Sequence, residues 1–268
     1  MRLLQVDAFT DKPFGGNPAA VCILNEAQTD DWMQSLAAEM NLSETAFLLE
    51  EGEGVYRLRW FTPTTEVDLC GHATLASAHA LWEEDLVQGD DEILFHTNSG
   101  PLTAERSNGW ITLNFPVVGH EEGPVPPQVT EAIGVDPVRV VKSDFDYVVE
   151  LASEAQVRQL SPDMGMLAEL VDHGVIVTSQ ADDGPFDIVS RVFCPGLGVP
   201  EDPVTGSAHC ALALYWQQKL NQHEFDAFQA SPRGGILKLQ LQDDRVQLQG
   251  QAVTVLRGSL SHDVGKGA

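Results

Sequence analysis

The stretch Arg59-Trp60-Phe61-Thr62-Pro63 recurs 132 residues later as Arg191-Val192-Phe193-Cys194-Pro195. An acidic loop leads from the first copy to Gly71-His72-Ala73 and from the second copy to Gly206-Ser207-Ala208. The two glycines are 135 residues apart, so the second loop is three residues longer. A chain that repeats strand, acidic loop, glycine and helix predicts two similar halves. We therefore expect an α+β protein with two pseudo-symmetric lobes and a cleft between them.

The acidic segment 117–127, between the two copies of the repeat, contains proline and glycine and is the best candidate for the connection between the lobes. We expect residues 1–118 in the N-terminal lobe and residues 119–268 in the C-terminal lobe, with the last strand a candidate to return to the first. Helices are expected at 30–40, 73–83 and 208–219. Helix caps are predicted at Asp30 or Asp31, at Ser153 with Gln156, and at Ser161 before Pro162.

The two helices behind the repeated loops carry small or apolar residues on every side, at 73–82 and 208–216. A helix that is apolar all round is buried, so its first N–H groups need partners other than water. Gly71 and Gly206 would let the backbone turn and a ligand approach, and the helix dipole favours a carboxylate there. The alternative is purely structural, with Ser207 an ordinary N-cap and His72 a buried, satisfied histidine.

Composition excludes several classes of partner. The chain has 268 residues, is 43% hydrophobic and has a formal net charge of −25. Such a charge repels nucleic acid and anionic membranes, so neither is an expected partner. The four cysteines lie far apart and the N-terminus does not have the pattern of a signal peptide, so we expect free thiols and a cytoplasmic location.

No motif for a metal or a nucleotide stands out. His72 and His79 are seven residues apart and do not form the usual one-turn pair, even with Glu66 and Asp68 nearby. The glycines before Asn17 lack the lysine of a phosphate-binding loop, and no serine lies in a GxSxG motif. We therefore expect no bound metal and no cofactor.

Four motifs together resemble the PhzF-like isomerases of phenazine biosynthesis: Gly16-Asn17-Pro18-Ala19-Ala20-Val21, Asn41-Leu42-Ser43-Glu44-Thr45-Ala46-Phe47, Leu69-Cys70-Gly71-His72-Ala73-Thr74 and Glu201-Asp202-Pro203-Val204-Thr205-Gly206-Ser207-Ala208-His209. They occur in the expected order over nearly the whole chain. The resemblance implies the diaminopimelate epimerase fold, in which each lobe is a β-barrel-like sheet around a central helix.

The resemblance also implies roles for individual residues. The catalytic glutamate of the family falls on Glu44, with His72 and Asp202 as its catalytic partners. Substrate-binding positions fall on Asn17, Gly71, Gly206 and Ser207. An alternative for Glu44 is a capping box, with Asn41 as the N-cap of a helix and Glu44 at its third position.

The chemistry implied is a cofactor-free proton shift within a small carboxylate-bearing substrate. A partly apolar cleft would raise the pKa of Glu44 towards the working pH, so that it removes a proton from one carbon and returns it to another. Related epimerases use a cysteine before each helix-end glycine, but here Cys70 precedes Gly71 while Thr205 precedes Gly206. Catalysis by paired cysteines is therefore disfavoured. A non-catalytic module that binds a carboxylate or a protein is the alternative function, and a homodimer is left open.

Overall fold

The computed structural model describes residues 1–144, 146–170 and 173–261. The chain divides into two compact units, one formed by Met1–Asn114 with the segment that begins at Gln249, the other by Phe115–Leu248. The predicted division after residue 118 leaves open a return of the last strand to the first lobe, and the segment that begins at Gln249 is grouped with the first unit. The reason is strand pairing, because the last strand pairs along the first one.

The first unit contains two helices and nine strands in the described part of the chain. In chain order they are β1 (Arg2–Ala8), β2 (Asn17–Leu24), α1 (Asp30–Met40), β3 (Glu44–Gly52), β4 (Val55–Phe61), β5 (Glu66–Val67), α2 (Gly71–Glu83), β6 (Ile93–Thr97), β7 (Gly100–Ser107), β8 (Trp110–Pro116) and the last strand, Ala252–Gly258.

The second unit contains the remaining elements. They are β9 (His120–Glu121), α3 (Pro127–Ile133), β10 (Arg139–Ser143), β11 (Asp146–Glu150), α4 (Glu154–Gln159), α5 (Met164–Leu167), β12 (Gly174–Gln180), β13 (Ile188–Cys194), β14 (Val199–Asp202), α6 (Gly206–Leu220), β15 (Glu224–Gln229), β16 (Gly235–Gln242) and β17 (Arg245–Gly250), with a short 3-10 helix at Pro195–Leu197. The last strand of the chain, in the first unit, is β18.

The two units repeat one order of strand pairing. In the first, β1 and β2 are antiparallel, β2 and β3 parallel, β3 and β4 antiparallel, β4 and β6 parallel, and β6 and β7 antiparallel. In the second, β10 and β11, β11 and β12, β12 and β13, β13 and β15, and β15 and β16 follow the same alternation. The repeat found in the sequence therefore reflects a repeated topology, and the predicted α+β fold of two similar halves is confirmed.

A buried helix lies at the centre of each unit, as predicted. Helix α2 is buried from His72 to Trp82, apart from His79, and packs against β1, β2, β3 and β18. Most of α6 is buried, and the indole nitrogen of Trp216 donates a hydrogen bond of 3.1 Å to Thr178 on β12. Neither helix needs a polar face because strands cover it on several sides. Among the described residues, no helix is long and apolar enough to cross a membrane.

The repeated sequence builds the same ion pair in each unit. The guanidinium of Arg59 donates two hydrogen bonds of 2.7 Å to the carboxylate of Glu66. Arg191 likewise donates bonds of 2.8 and 2.9 Å to Glu201. Each pair joins the long strand, β4 or β13, to the acidic segment before the central helix. A two-pronged arginine contact fixes geometry as well as charge, so each pair positions the loop that leads to the helix.

Two predictions of helix ends, and one of the alternatives left open, were wrong. Helix α1 is capped by Thr29, whose hydroxyl accepts from the Trp32 N–H, rather than by Asp30 or Asp31. Helix α5 is capped by Asp163, which accepts from the Met166 N–H at 3.0 Å, rather than by Ser161. The third is Ser207, which lies inside α6 because the N-cap is Thr205. The predicted cap at Ser153 is confirmed, because its hydroxyl accepts from the Gln156 N–H at 3.3 Å.

Candidate functional site

Three of the predicted site residues lie at the beginnings of neighbouring elements in the first unit. Asn17 begins β2, Glu44 begins β3, and His72 is the second residue of α2. Strands β2 and β3 are parallel, with Ala19 opposite Glu44, so their first residues lie at the same edge. Helix α2 packs on both strands and brings His72 to that edge. Residues far apart in sequence therefore meet because three elements start at one place.

The capping-box alternative for Glu44 is wrong. Asn41 ends α1 rather than beginning a helix, in the left-handed conformation with φ 51° and ψ 37°, and its N–H bonds to the carbonyl of Ala37. Glu44 follows as the first residue of β3 and is partly buried. Its carboxylate is therefore not occupied in satisfying a helix N-terminus.

Gly16 places Asn17 in the site. Its φ is +59°, and a Cβ atom there would lie 2.0 Å from the carbonyl oxygen of Ala8. Only glycine can therefore hold the turn that brings the chain back beside β1. Asn17 comes directly after this turn and its side chain is fully buried. Its amide nitrogen lies 3.2 Å from Nδ1 of His72.

His72 joins the other site residues. Its Nε2 lies 3.1 Å from Oε2 of Glu44, and its side chain is 6% exposed against 17% for Glu44. In the described part of the chain, neither of these two atoms makes a hydrogen bond of good angle to any group. Glu44 and His72 thus form a close, mostly buried charge pair, and Oε2 of Glu44 and Nε2 of His72 can each still bind another group.

Asn17 suits either protonation state of His72. With its amide nitrogen towards Nδ1, it donates a hydrogen bond and favours the neutral ring. Turned by 180°, it would present its oxygen as an acceptor for Nδ1–H of the charged ring. A buried histidine with a polar neighbour in both states can change its charge at low cost.

Two opposing effects act on the pKa of His72. Burial lowers this pKa, but the interactions of the ring with Cys70 and Glu44 raise it further than burial lowers it, to well above 6.5. Burial, together with the charge of Glu44, also raises the pKa of the Cys70 thiol. The thiol is therefore largely neutral near pH 7, so the Glu44 carboxylate is the partner that sustains a positive His72.

Cys70 is the neighbour that sequence reasoning did not include in the site. It is the N-cap residue of α2, and its Sγ lies 3.5 Å from Nδ1 of His72. One donor atom each from Glu44, Cys70 and His72 lies within 4.8 Å of the others, a group that could hold a metal ion. The signal that could have found it is the spacing Cys-Gly-His across a helix start, which turns both side chains to one side.

The predicted residues of the second unit gather at the start of α6. Asp202 ends β14 and its carboxylate accepts from the hydroxyl of Thr205. Gly206 and Ser207 are the first two residues of α6, and Ser207 is half-buried. Gly71 has the matching place in α2, and neither glycine has a positive φ. Neither glycine is therefore required for a left-handed backbone, and the close approach of a ligand at these positions stays a prediction.

Two buried side chains in this unit were missed by sequence reasoning. Gln229 accepts from the Thr205 N–H at 2.9 Å and donates to the Asp202 carbonyl at 2.7 Å. His209 contacts the Thr205 carbonyl through Nδ1 at 2.7 Å, and Nε2 lies 3.2 Å from the Ser190 hydroxyl. Burial lowers the pKa of His209 to about 4, although the bond to Thr205 opposes this. His209 is therefore neutral and fixes the start of α6.

The carboxylate of Glu44 belongs to one copy of the repeat only. Arg59 pairs with Phe47, three residues after Glu44, and Arg191 pairs with Val177 in the second unit. The residue three before Val177 is Gly174, the first residue of β12. A Cβ there would lie 2.6 Å from Oδ1 of Asp146. The two copies of the repeat therefore share their strand pairing, but only the first copy has a carboxylate at this position.

Comparison with known proteins places the chain among close relatives. The family described as phenazine biosynthesis-like protein (PhzC-PhzF) matches residues 6–258. An uncharacterized isomerase of Halalkalibacterium halodurans is 54% identical over 256 residues, covering 95% of this chain and 96% of the relative. An uncharacterized isomerase of Pseudomonas aeruginosa is 46% identical, covering 96% and 97%. The resemblance found in the motifs is confirmed.

Solved structures confirm the predicted diaminopimelate epimerase-like fold. A PhzF family protein of Enterococcus faecalis superposes with a TM-score of 0.90 at 41% identity, covering 96% of this chain and 97% of the other. A PhzC/PhzF protein of Clostridium difficile gives 0.89 at 42%, covering 97% and 99%. A probable proline racemase of Agrobacterium radiobacter, at 13% identity and a TM-score of 0.69, covers 98% of this chain and 93% of its own and shares the fold alone.

Proposed function

Because the chain belongs to the phenazine biosynthesis-like (PhzC-PhzF) family, we propose that it is an isomerase that moves a proton within a small carboxylate-bearing metabolite. Glu44 is the group that takes and returns the proton. The observation that carries this proposal is the 3.1 Å contact between Glu44 and His72, made by two buried atoms that lack another hydrogen bond among the described residues. The isomerase names of the close relatives support the reaction class.

The reaction needs an acid–base side chain that is not held in a structural hydrogen bond and is not fully exposed to water. Glu44 removes a proton from a carbon beside an electron-withdrawing group, and the electron pair left behind moves into the conjugated system. The protonated carboxyl then returns the proton to a second carbon on the same face, so no atom or electron is gained or lost. Such transfer calls for no organic cofactor and no metal.

His72 supports this cycle by its charge. A protonated imidazole next to Glu44 stabilises the carboxylate before transfer, and it stabilises negative charge on the substrate afterwards. The first N–H groups of α2, at Gly71 and His72, receive no cap from the Cys70 side chain in the described structure. These groups are suited to bind a carboxylate of the substrate.

The remaining assignments follow the family motif. Asn17 holds His72, while Asp202, Gly206 and Ser207 are assigned to orienting or binding the substrate. Each of these assignments can be tested by substituting the residue. Asp202→Asn, which keeps the size of the side chain, should lower the rate of proton transfer if Asp202 takes part in it.

The test is deuterium incorporation. A pool of small carboxylate metabolites is incubated with the protein in deuterated water, and the products are separated and weighed by mass spectrometry. An isomerase should introduce deuterium into one compound, and Glu44→Gln should reduce the rate by roughly 100-fold or more, mainly in turnover. Treatment of metal-free protein with a chelator should leave the rate unchanged.

The matched control is Glu53→Gln, which makes the same chemical change at an exposed position on the first unit and should retain the parental rate. Parental exchange in Glu44→Gln would overturn the assignment of Glu44. No exchange in any compound, from a folded protein, would favour the alternative of a module that binds carboxylates without turnover.

A further inference from the structure

We propose that Glu44, Cys70 and His72 form a binding site for a thiophilic divalent cation of the zinc type, and that occupation of this site blocks proton transfer. The site is distinct in chemistry from the isomerase reaction, because it uses the thiol of Cys70, for which that reaction has no need. Only the blocking effect depends on the proposed function; the binding does not.

The distances between the donor atoms suit a bound cation. One donor atom from each of the three side chains lies within 4.8 Å of the other two, and Nε2 of His72 is 3.1 Å from Oε2 of Glu44. Tetrahedral zinc bound at about 2.0–2.3 Å keeps its ligand atoms roughly 3.4–3.7 Å apart. The oxygen and nitrogen are already near that spacing. The sulfur of Cys70 lies 3.5 Å from Nδ1 of His72, so it must move towards Nε2 for all three atoms to bind one cation.

The donor set selects the metal. One sulfur, one imidazole nitrogen and one carboxylate oxygen suit zinc or cobalt, whereas magnesium and calcium prefer oxygen ligands alone. Three protein ligands leave one position for water. On binding, the cysteine thiol loses its proton to solvent and a metal–sulfur bond forms, with no oxidation or reduction.

Two of the three donor atoms also lack a competing hydrogen bond among the described residues. In the described part of the chain, Nε2 of His72 and Oε2 of Glu44 are buried and make no hydrogen bond of good angle. The His72 side chain is 6% exposed, and Glu44, at 17%, is the side from which a cation can enter. Asn17 contacts the other ring nitrogen at 3.2 Å, as a supporting residue does for a metal-bound histidine.

Occupation would compete with catalysis because the same carboxylate oxygen cannot bind a cation and accept a proton. Glu44 in a metal-bound form would therefore be inactive, and removal of the metal by a chelator would restore it. This site would make the protein sensitive to free zinc through a residue, Cys70, that the proton shift itself does not require.

The experiment uses cobalt as the probe and needs no substrate. Reduced, metal-free protein is titrated with Co²⁺, and the near-ultraviolet band that arises from a cysteine–cobalt bond is recorded. One equivalent should produce the band, and zinc should displace it. Cys70→Ser should abolish it, while Cys194→Ala, which removes a half-buried thiol in the second unit, should keep it. Asn17→Ala should weaken the affinity by about 10-fold or more.

Far-ultraviolet circular dichroism checks that each variant is folded. If Cys70→Ser does not fold, His72→Asn provides the decision, because it keeps the thiol but should weaken cobalt binding by at least about 10-fold. The proposal is overturned by the absence of the band in the parent protein, by its persistence in Cys70→Ser, or by parental affinity in His72→Asn. None of these outcomes depends on whether deuterium exchange is observed.

Discussion

At His72, the structure brings burial and charge into opposition on a single imidazole. Burial alone favours the neutral ring, and the carboxylate of Glu44 is what allows the ring to hold a proton. The charge of His72 is therefore a property of the pair. Removal of the Glu44 charge should change how the whole protein responds to pH.

This can be tested by measuring stability in Glu44→Gln. The pKa of His72 is higher in the folded protein than its unfolded value of about 6.5, so its contribution to stability is complete below that pH and is lost as the pH rises through the folded pKa. We expect urea unfolding to show a larger loss of stability in Glu44→Gln at about pH 5.5 than at about pH 9.

The control is Glu51→Gln. Glu51 lies 2.6 Å from His96, but both side chains are more than a third exposed, so loss of this pair should change stability little at either pH. A loss in Glu44→Gln that is independent of pH, or that grows as the pH rises, would contradict the charge pairing of Glu44 with His72.

The sequence motifs named Glu44, His72 and Asn17 as site residues, because motifs are matched residue by residue, and these three residues lie close together in the structure. They could not identify Cys70 as a neighbour, since that contact depends on how the start of α2 turns. They also missed Gln229, which reaches Thr205 from a strand that begins after α6. Side chains that support a site from another element leave no local signal in the sequence.

At the scale of elements, the repeated arginine–glutamate pair explains why the sequence repeat is visible at all. Arg59 and Arg191 each hold a glutamate at the far side of a turn, with both side chains of the second pair no more than 15% exposed. Partly buried pairs of this kind are costly to break from one side only. The repeat is therefore retained where it fixes the loop and changed where the reactive group lies.

A double-mutant cycle measures this coupling. Arg191→Leu and Glu201→Gln, singly and together, should show a coupling free energy of about 0.5–3 kcal/mol in urea unfolding. Combining Arg191→Leu with Glu66→Gln, which belongs to the other pair, provides the control and should give effects that simply add. Equal coupling in both cycles would show that the arginine acts through general charge rather than through its two-pronged contact.

Helix ends mark the limit of local prediction. The cap at Ser153 could be predicted because serine and Gln156 stand at the required spacing and nothing competes. At α5 the predicted cap was Ser161, which is followed by proline, but the chain uses Asp163. At Glu44 the spacing satisfied a capping box, yet the left-handed Asn41 ended a helix instead. Local patterns propose several ends, and tertiary packing selects one.

At the scale of the whole molecule, charge is the dominant feature. The 40 acidic residues outnumber the 15 basic ones, so the folded chain repels itself more strongly than the expanded one does. The ion pairs described above relieve this repulsion at a few places only. Dissolved salt screens the rest, with a screening length that falls from about 30 Å at 0.01 M to about 8 Å at 0.15 M.

We therefore expect the free energy of unfolding in urea to rise between about 0.01 M and about 0.15 M potassium chloride. Urea is uncharged and does not itself screen. Sucrose at matched osmolarity serves as the control for effects that are not electrostatic. A stability that stays level or falls with added salt would show that the ion pairs outweigh the net repulsion.

The pairing of β1 with β18 has a consequence for synthesis on the ribosome. Leu3 lies opposite Gly258, so β1 waits for a partner strand that is made much later along the chain. The second unit has no such delay, because its residues, 115–248, form one continuous run. Domains generally fold as units while the chain emerges. The unit translated second can therefore be completed before the first unit, whose sheet is complete only after β18 has emerged.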